Sequence, residues 1–101
     1  MTYLVQTNEG TAFPSFFEHW LGVHQPNVQQ TMGVVGGFRY VISHSIDPLH
    51  DPYAGMAELY FPDESGWLKY REMIQPDGME QWVDPIGTVV LRSDTEMIGL
   101  P

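Results

Sequence analysis

Hydrophobic positions change period several times along the chain, and each change marks an element. Thr2 to Thr7 alternates around Tyr3, Leu4 and Val5, which predicts a first strand. From Phe13 the period becomes helical. At about 100° per residue, Phe13, Phe16, Phe17, Trp20, Leu21 and His24 share one face, with Glu18, Gly22 and Gln25 opposite. Pro26 has no amide hydrogen and disfavours helical backbone at Gln25. The helix is therefore expected to break there, freeing the Gly22 carbonyl, and to restart as a short turn from Pro26 to Thr31. Phe38–Ser45 and Gly55–Phe61 read as an antiparallel second and third strand, with Asp47-Pro48 and Asp51-Pro52 bracketing the loop between them. Asp63 is placed to cap a helix running to about Gln75, with Trp67, Tyr70 and Ile74 on its apolar face. Pro76-Asp77-Gly78 reads as a turn and Met79 to Val83 as one further helical turn. A last strand falls within Gly87–Ile98.

The resulting order, β-α-β-β-α-β, is that of the ferredoxin-like α+β fold, a four-stranded antiparallel sheet with helices on one face. Residues 1–101 form one domain, without repeat or linker. Both faces of the strands are apolar. The third strand puts Ala57, Leu59 and Phe61 on one side and Met56 and Tyr60 on the other; the second puts Phe38, Tyr40 and Ile42 opposite Val41. Helices on one face leave the other uncovered, so a second copy packed sheet to sheet is expected. The predicted state is a homodimer.

Composition narrows the function. Thirteen acidic residues against four basic give a net charge of −9, which opposes binding to nucleic acid or to an anionic membrane surface. No apolar run is long enough to span a bilayer, and the first residues lack the basic start of a signal peptide. The absence of cysteine excludes disulfides, thiolate metal sites and a cysteine nucleophile. A soluble, cytoplasmic protein is expected.

Candidate chemistry centres on histidine. His24 occupies the middle of the aromatic helix face, either as a core histidine bonded to a carbonyl or as a proton-transfer group. His44 shares a strand face with Phe38, Tyr40 and Ile42, so His44 or Tyr40 could supply the second polar group that an acid–base site needs. Glu58, on the face of Met56 and Tyr60, could line a cavity or meet Arg39 across an interface. His50 with Asp47 and Asp51 is explained by turn chemistry, and no metal site is expected. His19 reads as an exposed flank of the helix. Glycine-rich phosphate loops, CxxC and HExxH are absent from the sequence.

Phe16-Phe17-Glu18-His19-Trp20-Leu21-Gly22-Val23-His24-Gln25-Pro26 resembles the motif F-x-x-[HY]-W-x-x-x-H-x-P of the EthD-like family, within the dimeric α/β barrel superfamily. Gly36-Gly37-Phe38-Arg39-Tyr40 with His44 looks like that family's second strand, and Gly55 to Phe61 like its third. The resemblance extends over about residues 1–98. Gln6-Thr7-Asn8-Glu9 departs from it, since family members usually carry a basic residue after a longer first strand. It implies a dimeric barrel and, by analogy with its catalytic relatives, a cofactor-independent lyase or isomerase of dehydratase type. The substrate class would be a small cyclic or aromatic carbonyl compound of a degradation or polyketide-type pathway. His24 would then move the proton, His44 or Tyr40 would polarise the oxygen, and Phe17, Trp20, Glu58 and Tyr60 would contact the substrate. Two other readings remain open: a non-catalytic accessory dimer binding a hydrophobic small molecule, and a haem- or oxygen-using monooxygenase.

Overall fold

The computed structural model describes residues 1–94. Strands β1 (Thr2–Val5), β2 (Arg39–His44), β3 (Gly55–Tyr60) and β4 (Val89–Leu91) form one antiparallel sheet in the order β2-β3-β1-β4. Helix α1 (Phe13–His19), a π-helical turn (Trp20–His24) and helix α2 (Gln25–Val34) link β1 to β2, and helix α3 (Glu64–Met73) lies between β3 and β4. This is the β-α-β-β-α-β order and strand arrangement expected of the ferredoxin-like α+β class. Strand β4 lies inside the window read for the last strand; the part of that window from residue 95 onward is outside the described residues. Asp63 caps α3 as expected, accepting from the Ser65 N–H.

The break at Gln25-Pro26 does not occur. Gln25 keeps right-handed helical angles (φ −58°, ψ −48°), and its N–H bonds the Trp20 carbonyl five residues back. Proline disrupts an α-helix because it lacks the N–H and its ring collides with the carbonyl four residues earlier. A π turn immediately before it widens the backbone at that point. The chain therefore passes Pro26 as a helix, and α2 reaches Val34 instead of stopping at Thr31. The altered period also turns Leu21 outward, to 52% exposure, although an uninterrupted α-helix would set it beside Phe17.

The core sits between the helices and one face of the sheet. Phe16, Trp20, Val28 and Met32 from the first helical stretch meet Val5, Ala57 and Leu59 from the strands, with Trp67 and Tyr70 of α3 closing one side. Register explains the strand contribution. Tyr40, Ile42 and His44 pair with Leu59, Ala57 and Gly55 and share their face, whereas Arg39, Val41 and Ser43 pair with Tyr60, Glu58 and Met56 on the other. Along β3, burial alternates strictly between buried and half-buried positions.

Trp20 reaches the sheet only because position 55 is glycine. A Cβ there would come within 2.7 Å of the Ser43 carbonyl oxygen and 2.8 Å of Trp20 Cζ3. Gly55→Ala should consequently lower stability by about 1–3 kcal/mol, the usual cost of overpacking a filled core. Denaturant unfolding measures it; a change under about 0.5 kcal/mol would mean that Trp20 is not seated on this strand.

Candidate active site

Asp77 organises the polar part of the helix layer. It lies in the turn after α3, where Gly78 adopts a left-handed φ of +91°, a conformation open to glycine. The Met79 N–H donates to Asp77 Oδ1 at 3.1 Å, closing the turn on itself. Asn27, one residue past Pro26, uses its Nδ2 twice: it donates to the Gln75 carbonyl and to Asp77 Oδ2, each at 2.9 Å. That side chain ties α2 to the turn.

His24, the last residue of the π turn, points its Nδ1 at Asp77 Oδ2 from 2.6 Å. An ionised carboxylate only accepts, so Nδ1 carries the proton and the Nε2 lone pair is left available. Exposure sorts the roles: the Asp77 side chain is 10% exposed and the imidazole 25%. Burial pushes against ionisation of Asp77, but hydrogen bonds from Asn27, His24 and the Met79 N–H outweigh it and hold the carboxyl below its ordinary 3.8. An imidazole backed by a fixed anion through one nitrogen can accept a proton at the other without losing its orientation.

Tyr40 and His44 project from β2 into the same layer. Burial, opposed by the Trp20 indole and reinforced by the Asp77 charge, pushes the Tyr40 phenol up to about 12, so it stays a neutral donor. Its hydroxyl is buried without a formed hydrogen bond among the described residues. His44 stacks on Phe17 with centroids 4.2 Å apart at 16° and lies 4.7 Å from the Trp20 ring. Burial pushes its imidazole down, keeping it neutral among the aromatic rings.

The remaining candidates divide between two sides of the sheet. Trp20 is 1% exposed and belongs to the core; Phe17 is half-buried against His44. Glu58 and Tyr60 lie on the opposite sheet face, where the Tyr60 hydroxyl donates to Glu58 Oε2 at 2.6 Å and the Arg39 guanidinium stands 5.6 Å from the Tyr60 ring centre. One chain therefore does not gather Glu58 and Tyr60 with His24. A cavity of about 680 Å³ opens instead beside Phe38, Tyr60, Phe61, Asp63 and Trp67, and neither histidine nor Tyr40 lines it. Among the described residues, no group of three or more histidine, aspartate or glutamate side chains is placed to hold a metal ion.

Sequence reasoning missed Asp77, Asn27 and His19. The Pro-Asp-Gly motif explained Asp77 as a turn residue, and an aspartate in a turn signals nothing about a partner about fifty positions away. His19, read as exposed, is 17% exposed and packs on Trp82 with centroids 4.7 Å apart. Comparison with family models, curated proteins and solved structures finds no match.

These environments set the acid response. The unfolded chain binds a proton at position 44 before the folded protein does, so stability falls as pH drops below 6.5 and levels off once pH passes the folded value. The Asp77 contribution is present above 3.8 and is lost as pH falls through its lower folded value. Urea midpoints from pH 8 to 3 should show both declines, the upper one missing in His44→Phe and the lower one reduced in Asp77→Asn, where Asp63, held low by its Ser65 hydrogen bonds, still contributes. Parallel curves for parent and variants would contradict these assignments.

Proposed function

We propose that the protein is a homodimeric, cofactor-independent acid–base catalyst, a dehydratase-like lyase or isomerase acting on a small cyclic or aromatic carbonyl compound. The observation that carries this reading is the 2.6 Å contact of His24 Nδ1 with a shielded, ionised Asp77. His24 Nε2 takes a proton from the carbon alpha to the carbonyl, and the bonding pair moves to oxygen as an enolate. Tyr40, neutral at physiological pH, donates a hydrogen bond to that oxygen. The proton then returns to another carbon in an isomerisation, or joins a departing hydroxyl to leave as water in a dehydration. Resemblance of the Phe16–Pro26 segment to the EthD-like motif supports the same assignment. The sheet face opposite the helices, with Leu4, Val41, Met56 and Tyr60 half-buried, supports face-to-face pairing of two chains into a barrel. A second reading, an accessory dimer that binds a hydrophobic small molecule without catalysis, is favoured by the aromatic-lined cavity away from His24.

Deuterium incorporation alpha to the carbonyl of 1-tetralone, followed by NMR in D₂O, tests the catalytic reading without a known substrate. The parent should accelerate exchange over buffer, and folded His24→Gln should lose about two to four orders of magnitude of that acceleration. Light scattering on both should give about twice the 11.5 kDa chain mass. Undiminished exchange in His24→Gln would end the catalytic assignment, and a monomer at micromolar concentration would end the dimer.

A further inference from the structure

His19 is a polar group of the helix layer that the proposed reaction does not use. Its Nε2 is buried and makes no hydrogen bond among the described residues, yet it stands 4.0 Å from Asp77 Oδ1. That separation is too long for a hydrogen bond and short enough for a charge–dipole contact. The other carboxylate oxygen, Oδ2, already serves His24 and Asn27. Two imidazoles thus address one carboxylate from opposite oxygens.

An ordinary helix would not allow this. Residues five apart in an α-helix lie about 140° apart around the axis, so His19 and His24 would face different neighbours. In the π turn a residue closes back over the one five positions before it, as the Gln25 N–H to Trp20 carbonyl bond shows. The turn bearing Asp77 is shaped to the same pair. Gly78 brings its backbone against the His19 ring, where an added Cβ would sit 3.3 Å from Cε1.

We propose that the π turn is a registration device and that His19 is a positioning residue for His24, acting through Asp77. A nitrogen lone pair aimed at an anion would repel it, so His19 holds its proton on Nε2. That N–H, beside the Met79 N–H already on Oδ1, keeps the carboxylate turned so that Oδ2 meets His24 Nδ1. The consequence for His24 is a locked Nδ1–H tautomer, with Nε2 free as the base. This inference rests on the acid–base reading for its purpose, but not for its test.

Two-bond ¹H–¹⁵N NMR on histidine-labelled protein reads each ring's tautomer directly, in the parent and in two variants. His19 should be the Nε2–H form and His24 the Nδ1–H form. His19→Phe keeps a ring against Trp82 but removes the N–H; the His24 Nδ1–H to Nε2–H ratio should fall by about three- to tenfold, less than the loss of a full hydrogen bond to a charge because the contact is longer than one. His19→Gln, whose amide can donate from nearly the same place as Nε2, should restore the ratio to within about twofold. A parent His19 protonated on Nδ1 would overturn the proposal even if neither variant folds. So would an unchanged ratio in His19→Phe, or failure of folded His19→Gln to restore it. Absence of tetralone exchange in the parent would count against catalysis alone, because the tautomers decide His19 independently.

Discussion

A carboxylate largely shielded from water must be held by donors, and Asp77 finds its donors on two separate parts of the chain. The Met79 N–H comes from its own turn, while His24 and the Asn27 amide come from the helical stretch that precedes β2 and β3 in sequence. Hydrogen bonds to a charged group contribute about 1.5–3 kcal/mol each, and leaving the charge without them would cost more. The helix therefore has to arrive at this turn with His24 and Asn27 on the same side. That requirement governs the backbone between Trp20 and Pro26. The π turn supplies the rotation, and Pro26 fits the position that follows it.

The same stretch also anchors the hydrophobic layer. Trp20 opens the π turn and is seated on Gly55, with His44 beside its ring; His24 ends the turn at Asp77. One turn of helix thus joins the apolar core to the polar station. Packing fixes where the turn sits, and the carboxylate fixes which nitrogen of His24 is free. Glu58, Tyr60 and Arg39 are unconnected to this arrangement because strand alternation sends them through the sheet to its opposite face. Any role they have belongs to that face.

The architecture was legible because its signals are local. Alternation in β2 and β3, the Asp63 cap and the aromatic helix face each depend on neighbours a few positions away, and each appears where the pattern placed it. The errors share a different cause. Proline chemistry at position 26 was read for an α-helix, and a π turn changes which carbonyl the ring would strike. Leu21 was assigned by a 100° period that does not hold across residues 20–24, and His19 is covered by Trp82 and Asp77 from distant parts of the chain. His24 was legible as a candidate from its place on the aromatic face, but Asp77 was not. The partnership spans 53 positions and depends on the Asn27 tie, which carries no pattern in a single sequence.

Coupling between His24 and Asp77 is the central quantity, and a double-mutant cycle measures it most directly. Unfolding free energies of the parent, His24→Ala, Asp77→Ala and the double variant at pH 7 give the interaction energy without assuming a substrate. A shielded, charge-assisted contact should couple the two residues by at least about 1 kcal/mol, the single losses summing to more than the double loss. Additivity within about 0.3 kcal/mol would mean that Asp77 does not hold His24. The oriented base would then have no foundation.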